Sequence, residues 1–265
     1  MRVSDGIIRT DQWLEIDFEN PKKICERLTV YFPGEVNPQK IYNYLLDFGM
    51  YRPNRKSRKT YEDMKSRKLW ENIEKIHLKY KSKWDGPDVP IFIFPMDASN
   101  GRLMREGKGK SGVSFKDKLF LFLTPIEDHK EIEALFVHEY HHVCRMNGLI
   151  KDPAEYNLLD SIILEGLAEH AVADNCGVEY TGDWSRRYST EDLAEFWKKD
   201  LSEKLSITRK DKLHDQILFG MGSRPRLLGY AMGYEIVKQY KQHKNFTEKA
   251  SFKIPSDKFT KLLNF

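Results

Sequence analysis

The stretch HEYHHVCRMNG (residues 138–148) decides how this chain is read. Three of its eight histidines fall within five residues, beside a glutamate. The flanks ALFV (134–137) and VCRM (143–146) are apolar, as in a buried helix. On a helix, positions four apart lie about 40° apart in azimuth and one turn along. His138 and His142 therefore share a face, and their imidazoles can converge on one point as two zinc ligands must. Glu139 lies beside them, placed to reach a water on the metal rather than the metal itself. Buried histidines and a buried carboxylate need partners, and one cation satisfies them together. This is the H-E-x-x-H arrangement with a mechanical reason for each fixed position. His141 shares a face with His138 but has no glutamate in the base position. It is read as a surface side chain or as support for a ligand.

Downstream, LLDSIILEGLAEHAV (158–172) predicts a second helix, over about 155–175 and ending at Gly177. Apolar residues occupy most of it, yet Glu165 and Glu169 share one face at i, i+4. Two ionised carboxylates in an apolar setting repel one another and lose hydration. The pair makes sense if one carboxylate binds a metal and the other binds a metal-ligating histidine. The bland alternative is an amphipathic helix with a solvated glutamate pair. Gly166 removes a side chain next to Glu165, which would let the two helices approach closely.

Upstream, residues 1–85 read as helical and charged. PKKICERLTVYF (21–32), QKIYNYLLDFG (39–49) and KLWENIEKIHLKYKSKW (68–84) carry apolar residues at three- and four-residue spacing. The sequence Trp84-Asp85-Gly86-Pro87 is a break. Two strands follow, VPIFIFPMD (89–97) and KLFLFLTP (118–125), with a Gly/Lys/Ser-rich loop over 100–112. Prolines at both ends of the first suggest an edge or terminating strand. The second is either a core strand or an edge on which an extended peptide could pair. Thr124-Pro125-Ile126-Glu127 reads as a capping box opening the H-E-x-x-H helix, which would run to Asn147 and stop at Gly148. The remainder is mostly helical, with a cap at Ser189-Thr190-Glu191-Asp192. The expected fold is α+β and predominantly helical, with a small sheet before the H-E-x-x-H helix and a second helix carrying the glutamate ligand. A helical N-terminal subdomain over 1–85 and a metalloprotease domain over 86–265 are expected, with the option that they form one unit.

The chain has 265 residues, 40% hydrophobic and 32% charged, which is globular composition. A net charge of only +4 does not point to a polyanionic partner. The basic stretch YRPNRKSRKTYEDMKSRK (51–68) is read as a solvated loop and helix face, with nucleic-acid binding as the rival. The N-terminal residues lack a secretory pattern, and no run approaches a membrane span. Cys25, Cys144 and Cys176 are far apart and read as free structural thiols. A cytoplasmic enzyme acting on a peptide or protein, with no nucleic-acid or membrane partner, is the expectation.

The kind of zinc site follows from what comes after the motif. The metzincin extension requires Gly and then His where this chain has Arg145 and Gly148, so that class is excluded. LEGLAE (164–169) resembles the second zinc motif of gluzincins, and its E-G-x-A core resembles that of the zinc aminopeptidases. By that resemblance Glu165 is the third ligand and Glu169 holds the imidazole of His138, fixing the ring. Leu164 stands where both groups usually have asparagine, and no match to the aminopeptidase amine-binding motif is found, which weighs against an exopeptidase while leaving the type of cleavage open. Taken together, GKSGVSFKDKLFLFL (109–123), EALFVHEYHHVCRM (133–146), LLDSIILEGLAEHAV (158–172) and LLGYAMGYEIV (227–237) resemble the YjaZ-type family of predicted bacterial zinc-dependent proteases, with a zincin-like core. The resemblance implies Zn²⁺ on His138, His142 and Glu165, with Glu139 as general base for peptide hydrolysis. A donor to the tetrahedral oxyanion is also needed. Tyr230 and Tyr234, four apart on a helix expected after Pro225, are the candidates, with His214 a weaker one. A non-catalytic zinc-binding module with a structural or regulatory role is the alternative reading.

Overall fold

The structure, a computed structural model, describes residues 6–243 and 245–265. Among these the fold is α+β and mostly helical, with one mixed four-stranded sheet. The chain forms two compact units, Met1–Glu139 and Tyr140–Phe265, and the change-over falls inside a single long helix.

In the first unit the short strand β1 (Gly6–Ile7) precedes five helices: α1 (Thr10–Asp17), α2 (Pro21–Leu28), α3 (Pro38–Asp47), α4 (Arg55–Ser66) and α5 (Leu69–Trp84). The break expected at 84–87 is real. Asp85 adopts a left-handed backbone with φ 52° and ends α5. The basic stretch 51–68 is mostly α4. Its two tyrosines turn inward, Tyr51 donating to Phe18 O (3.0 Å) and Tyr61 to Asp11 O (3.0 Å). Several of its charges are paired, including Arg52 with Asp97 (3.4 Å) and Lys65 with Glu15.

Strand β2 (Pro90–Pro95), helix α6 (Gly101–Glu106), strand β3 (Lys110–Ser114) and strand β4 (Leu119–Leu123) follow. The sheet order is β1-β2-β4-β3, with β3 antiparallel to β4 and the other pairs parallel. One expectation changes here, and one open alternative closes. β2 is an interior strand: its prolines sit at the two ends, and every residue between them is buried. β4, the KLFLFL strand, is interior as well. A run of five buried apolar residues is what a strand covered on both faces looks like. The edges belong to β1 and to β3, whose Gly, Lys and Ser content reads as loop. β3 becomes a strand because β4 offers it a full ladder, from Lys110 opposite Leu123 to Ser114 opposite Leu119.

The H-E-x-x-H helix, α7, spans His129–Gly148 and starts four residues later than the cap expected at Thr124 implies. Thr124 instead extends the β4 ladder, with its N–H and its hydroxyl both bonded to Gly109 O (2.9 Å each). Asp128 does the capping, its carboxylate accepting from the Lys130 N–H (2.9 Å). The first turns of α7 are tied down in the first unit through Glu133. It accepts from Lys79 (2.6 Å), Tyr80 (2.8 Å) and Lys130 (2.8 Å). Burial pushes its carboxyl up, but the bonds from Lys130, Lys79 and Tyr80 together outweigh that and hold it at about 2.

The second unit contains the rest of α7, then α8 (Leu158–Asn175), α9 (Thr190–Phe196), α10 (Lys212–Leu218), α11 (Leu228–His243) and the short α12 (Glu248–Ser251) and α13 (Asp257–Thr260). The caps of α8 and α9 are full capping boxes, Asn157 with Asp160 and Ser189 with Asp192. Gly148 ends α7, as its place in the sequence predicts, and a Cβ there would fall 2.6 Å from Phe252 O, so it also permits a close approach. Gly166 permits close packing, but against α11: its Cβ would fall 2.2 Å from Gly233 O, and one on Gly233 would fall 2.1 Å from Ile162 O.

Arg145, at the metzincin glycine position, is fully buried. Its guanidinium donates to Ser251 O (2.6 Å), Ile254 O (3.2 Å) and Ser256 Oγ (3.2 Å), and Ser256 in turn donates to Asp160 (2.7 Å). Burial lowers its pKa to about 10, which still leaves it charged at neutral pH. Removing it strands those carbonyl groups and opens a cavity. Arg145→Ala is therefore expected to cost about 3–5 kcal/mol, read as a fall in thermal midpoint of roughly 10 °C. A midpoint within a degree of wild type would show that the C-terminal segment does not depend on this clamp.

Candidate metal centre

α7 carries His138 and His142 one turn apart on one face, and α8 carries Glu165. One ligand atom from each of the three lies within 4.8 Å of the other two. His142 Nε2 stands 3.4 Å from Glu165 Oε2. Two imidazole nitrogens and one carboxylate oxygen, converging on one point and partly to fully buried, are a donor set that suits zinc. The fit rests on donor type and on spacing small enough for one ion to touch all three.

Glu139 is buried, and its carboxylate lies against β3. The Ser114 hydroxyl lies 2.9 Å from Glu139 O and donates to the carboxylate Oε2. A Cβ on Gly112 would fall 2.5–2.8 Å from the Glu139 Cγ, Cδ and Oε1. Sequence reasoning missed both residues because 100–112 reads as loop and the strand is expected only from Lys118. The alternation of Gly112 and Ser114 is the signal that places them on one face once the strand is known.

The remaining sequence candidates lie in the second unit. Glu169 is buried and accepts the Gly182 N–H at Oε1. Tyr230 and Tyr234 both lie on α11, as expected. Tyr234 stacks flat on His170, centroids 4.1 Å apart and planes at 6°, while Trp184 meets Tyr230 edge-on at 5.3 Å and Tyr234 at 6.4 Å. Burial, and then Glu169, push the Tyr234 hydroxyl pKa up, so it stays protonated and able to donate. His170 bonds the Tyr234 carbonyl (2.9 Å), and burial lowers its pKa to about 4. His214 is buried in a different network, between Ser161 Oγ (3.0 Å) and Asp215 Oδ1 (2.7 Å). His141 is buried rather than at the surface, edge-on to Phe252 at 4.9 Å. None of the three cysteines is in a disulfide, and burial pushes the thiols of Cys25 and Cys144 well up, away from ligand or nucleophile chemistry.

Residues 69–261 match the family model described as predicted Zn-dependent protease (DUF2268), which covers all the candidate residues of this centre. The chain belongs to that family. Among curated proteins it is 39% identical to the uncharacterized protein YjaZ of Bacillus subtilis, over 84% of this chain and 85% of that protein. It is 27% identical to the uncharacterized protein YjfC of the same organism, over 44% of this chain and 42% of that one. No solved structure matches it. The family match begins at the first residue of α5 and runs through the sheet, α7, α8 and α11. Among the described residues no helix is long and apolar enough to cross a membrane.

Proposed function

We propose that this chain is a zinc-dependent metallopeptidase with a zincin-like site, in which His138, His142 and Glu165 hold the metal and Glu139 is the general base. The observation that carries the reading is the convergence of those three ligand atoms within 4.8 Å, with Glu139 next to the first of them on the same helix. Zinc held there supplies a Lewis acid that activates water and polarises a carbonyl. Glu139 takes the proton of the attacking water and delivers it to the leaving amine. Tyr230 or Tyr234 donates to the oxyanion. A close approach of α8 and α11, Gly166 against Gly233, lies beside both Glu165 and Tyr234 in the chain, which supports a fixed relation between ligand and donor. Glu169, one turn beyond Glu165, orients the imidazole of His138 in this reading. The open edge of β3 is where an extended peptide would add as a further strand. The compartment is proposed to be the cytoplasm.

The test is hydrolysis of fluorescein-labelled casein by the full chain. Activity is expected to vanish with 1,10-phenanthroline and to return when zinc is restored. Activity that survives complete removal of metal contradicts the reading.

A further inference from the structure

Strand β3 and helix α7 run side by side in the first unit, joined at two places. Lys110 bonds Glu131, through its backbone O (2.9 Å) and its carboxylate, and Ser114 bonds Glu139. Four residues of strand span about 13 Å, and eight residues of helix span about 12 Å. The two elements therefore stay in step between the two joints, and Gly112, midway on the same face of the strand, lies beneath the helix. Its missing side chain matters. A Cβ there would overlap the Glu139 Cγ, Cδ and Oε1, which belong to the movable end of a flexible side chain. A larger residue would shift the carboxylate more readily than it would unfold the sheet. Ser114 does the complementary task. Its hydroxyl has one proton and two oxygens of Glu139 within reach, and the ionised carboxylate is the stronger acceptor.

We propose that Gly112 and Ser114 are positioning residues for Glu139: the glycine provides the space the carboxylate fills, and the serine fixes which way its oxygens point. The proposal rests on Glu139 being the general base, because only then does the direction of its oxygens set a rate. A base must sit within hydrogen-bond reach of the proton it takes, so a carboxylate released from its seat loses rate while substrate binding stays. Both residues act on the side chain of Glu139, which is not among the ligands His138, His142 and Glu165, so zinc binding should be indifferent to them.

The experiment compares zinc-loaded wild type with Ser114→Ala, Ser114→Thr and Gly112→Ala by zinc content, by kcat and KM on fluorescein-labelled casein, and by crystal structure. All variants are expected to hold wild-type zinc. Ser114→Ala should lose roughly 10- to 100-fold in kcat with KM little changed, Ser114→Thr should recover most of that loss, and Gly112→Ala should lose at least as much as Ser114→Ala. In the crystals the Glu139 carboxylate should leave its wild-type position in Ser114→Ala and Gly112→Ala and keep it in Ser114→Thr. An unmoved carboxylate in Ser114→Ala and Gly112→Ala overturns the proposal, whatever the kinetics. Equal losses in the alanine and threonine variants also overturn it, since they mark a merely structural role. Should wild type bind zinc and leave casein intact, the peptidase reading fails on that substrate, while the crystallographic comparison still decides the positioning claim.

Discussion

Glu139→Gln is expected to retain a full complement of zinc and to lose casein hydrolysis by roughly 10²- to 10⁴-fold. The substitution is nearly isosteric. The side chain still fits the space left by Gly112, and its amide oxygen can still accept from Ser114. The ligands on either side of it in the sequence, His138 and His142, are untouched, so neither fold nor metal gives a reason for a change. What disappears is a group that can take a proton from water and return it to the leaving nitrogen. Initial rates on labelled casein, beside zinc content and thermal midpoint for both proteins, separate these effects. Turnover within a few-fold of wild type would assign the base to another residue. Loss of zinc along with activity would make Glu139 part of the ligand set.

The candidate centre is legible in the sequence because its logic is local. Helical geometry alone puts His138 and His142 on one face, and the i, i+4 pair of Glu165 and Glu169 stands out in an otherwise apolar helix. The cap at Ser189 is local as well, and the helix it opens lies close to where its pattern places it. What sequence reasoning misplaces depends on distant partners. β3 has poor intrinsic strand character and exists because β4 pairs with it. The start of α7 slips from Thr124 to Asp128 because Gly109, fifteen residues earlier, holds Thr124 in the ladder. Gly148 and Gly166 are recognisable as special positions, yet the backbones they admit, at Phe252 and Gly233, lie far along the chain. Arg145 is informative in the sequence only for the class it excludes. Its burial under the C-terminal segment needs Ser251, Ile254 and Ser256 to be brought to it.

Glu165→Ala is the second large effect. It removes one of three converging donors and leaves two histidines on α7 with no carboxylate between them and the metal's remaining positions. Even residues that only support a zinc ligand typically account for 10- to 100-fold in affinity, so loss of a ligand should exceed about 100-fold. Little penalty in stability is expected from the substitution itself, since alanine is the best helix former and Glu165 sits within α8. The loss is therefore read on the metal and not on the fold. The measurement is zinc per chain by inductively coupled plasma mass spectrometry, on wild type and Glu165→Ala purified side by side without chelator. About one zinc per wild-type chain, lost in the variant while its circular dichroism stays unchanged, is what a His-His-Glu centre requires. Wild type that takes up no zinc, or a variant that keeps its full complement, would contradict it.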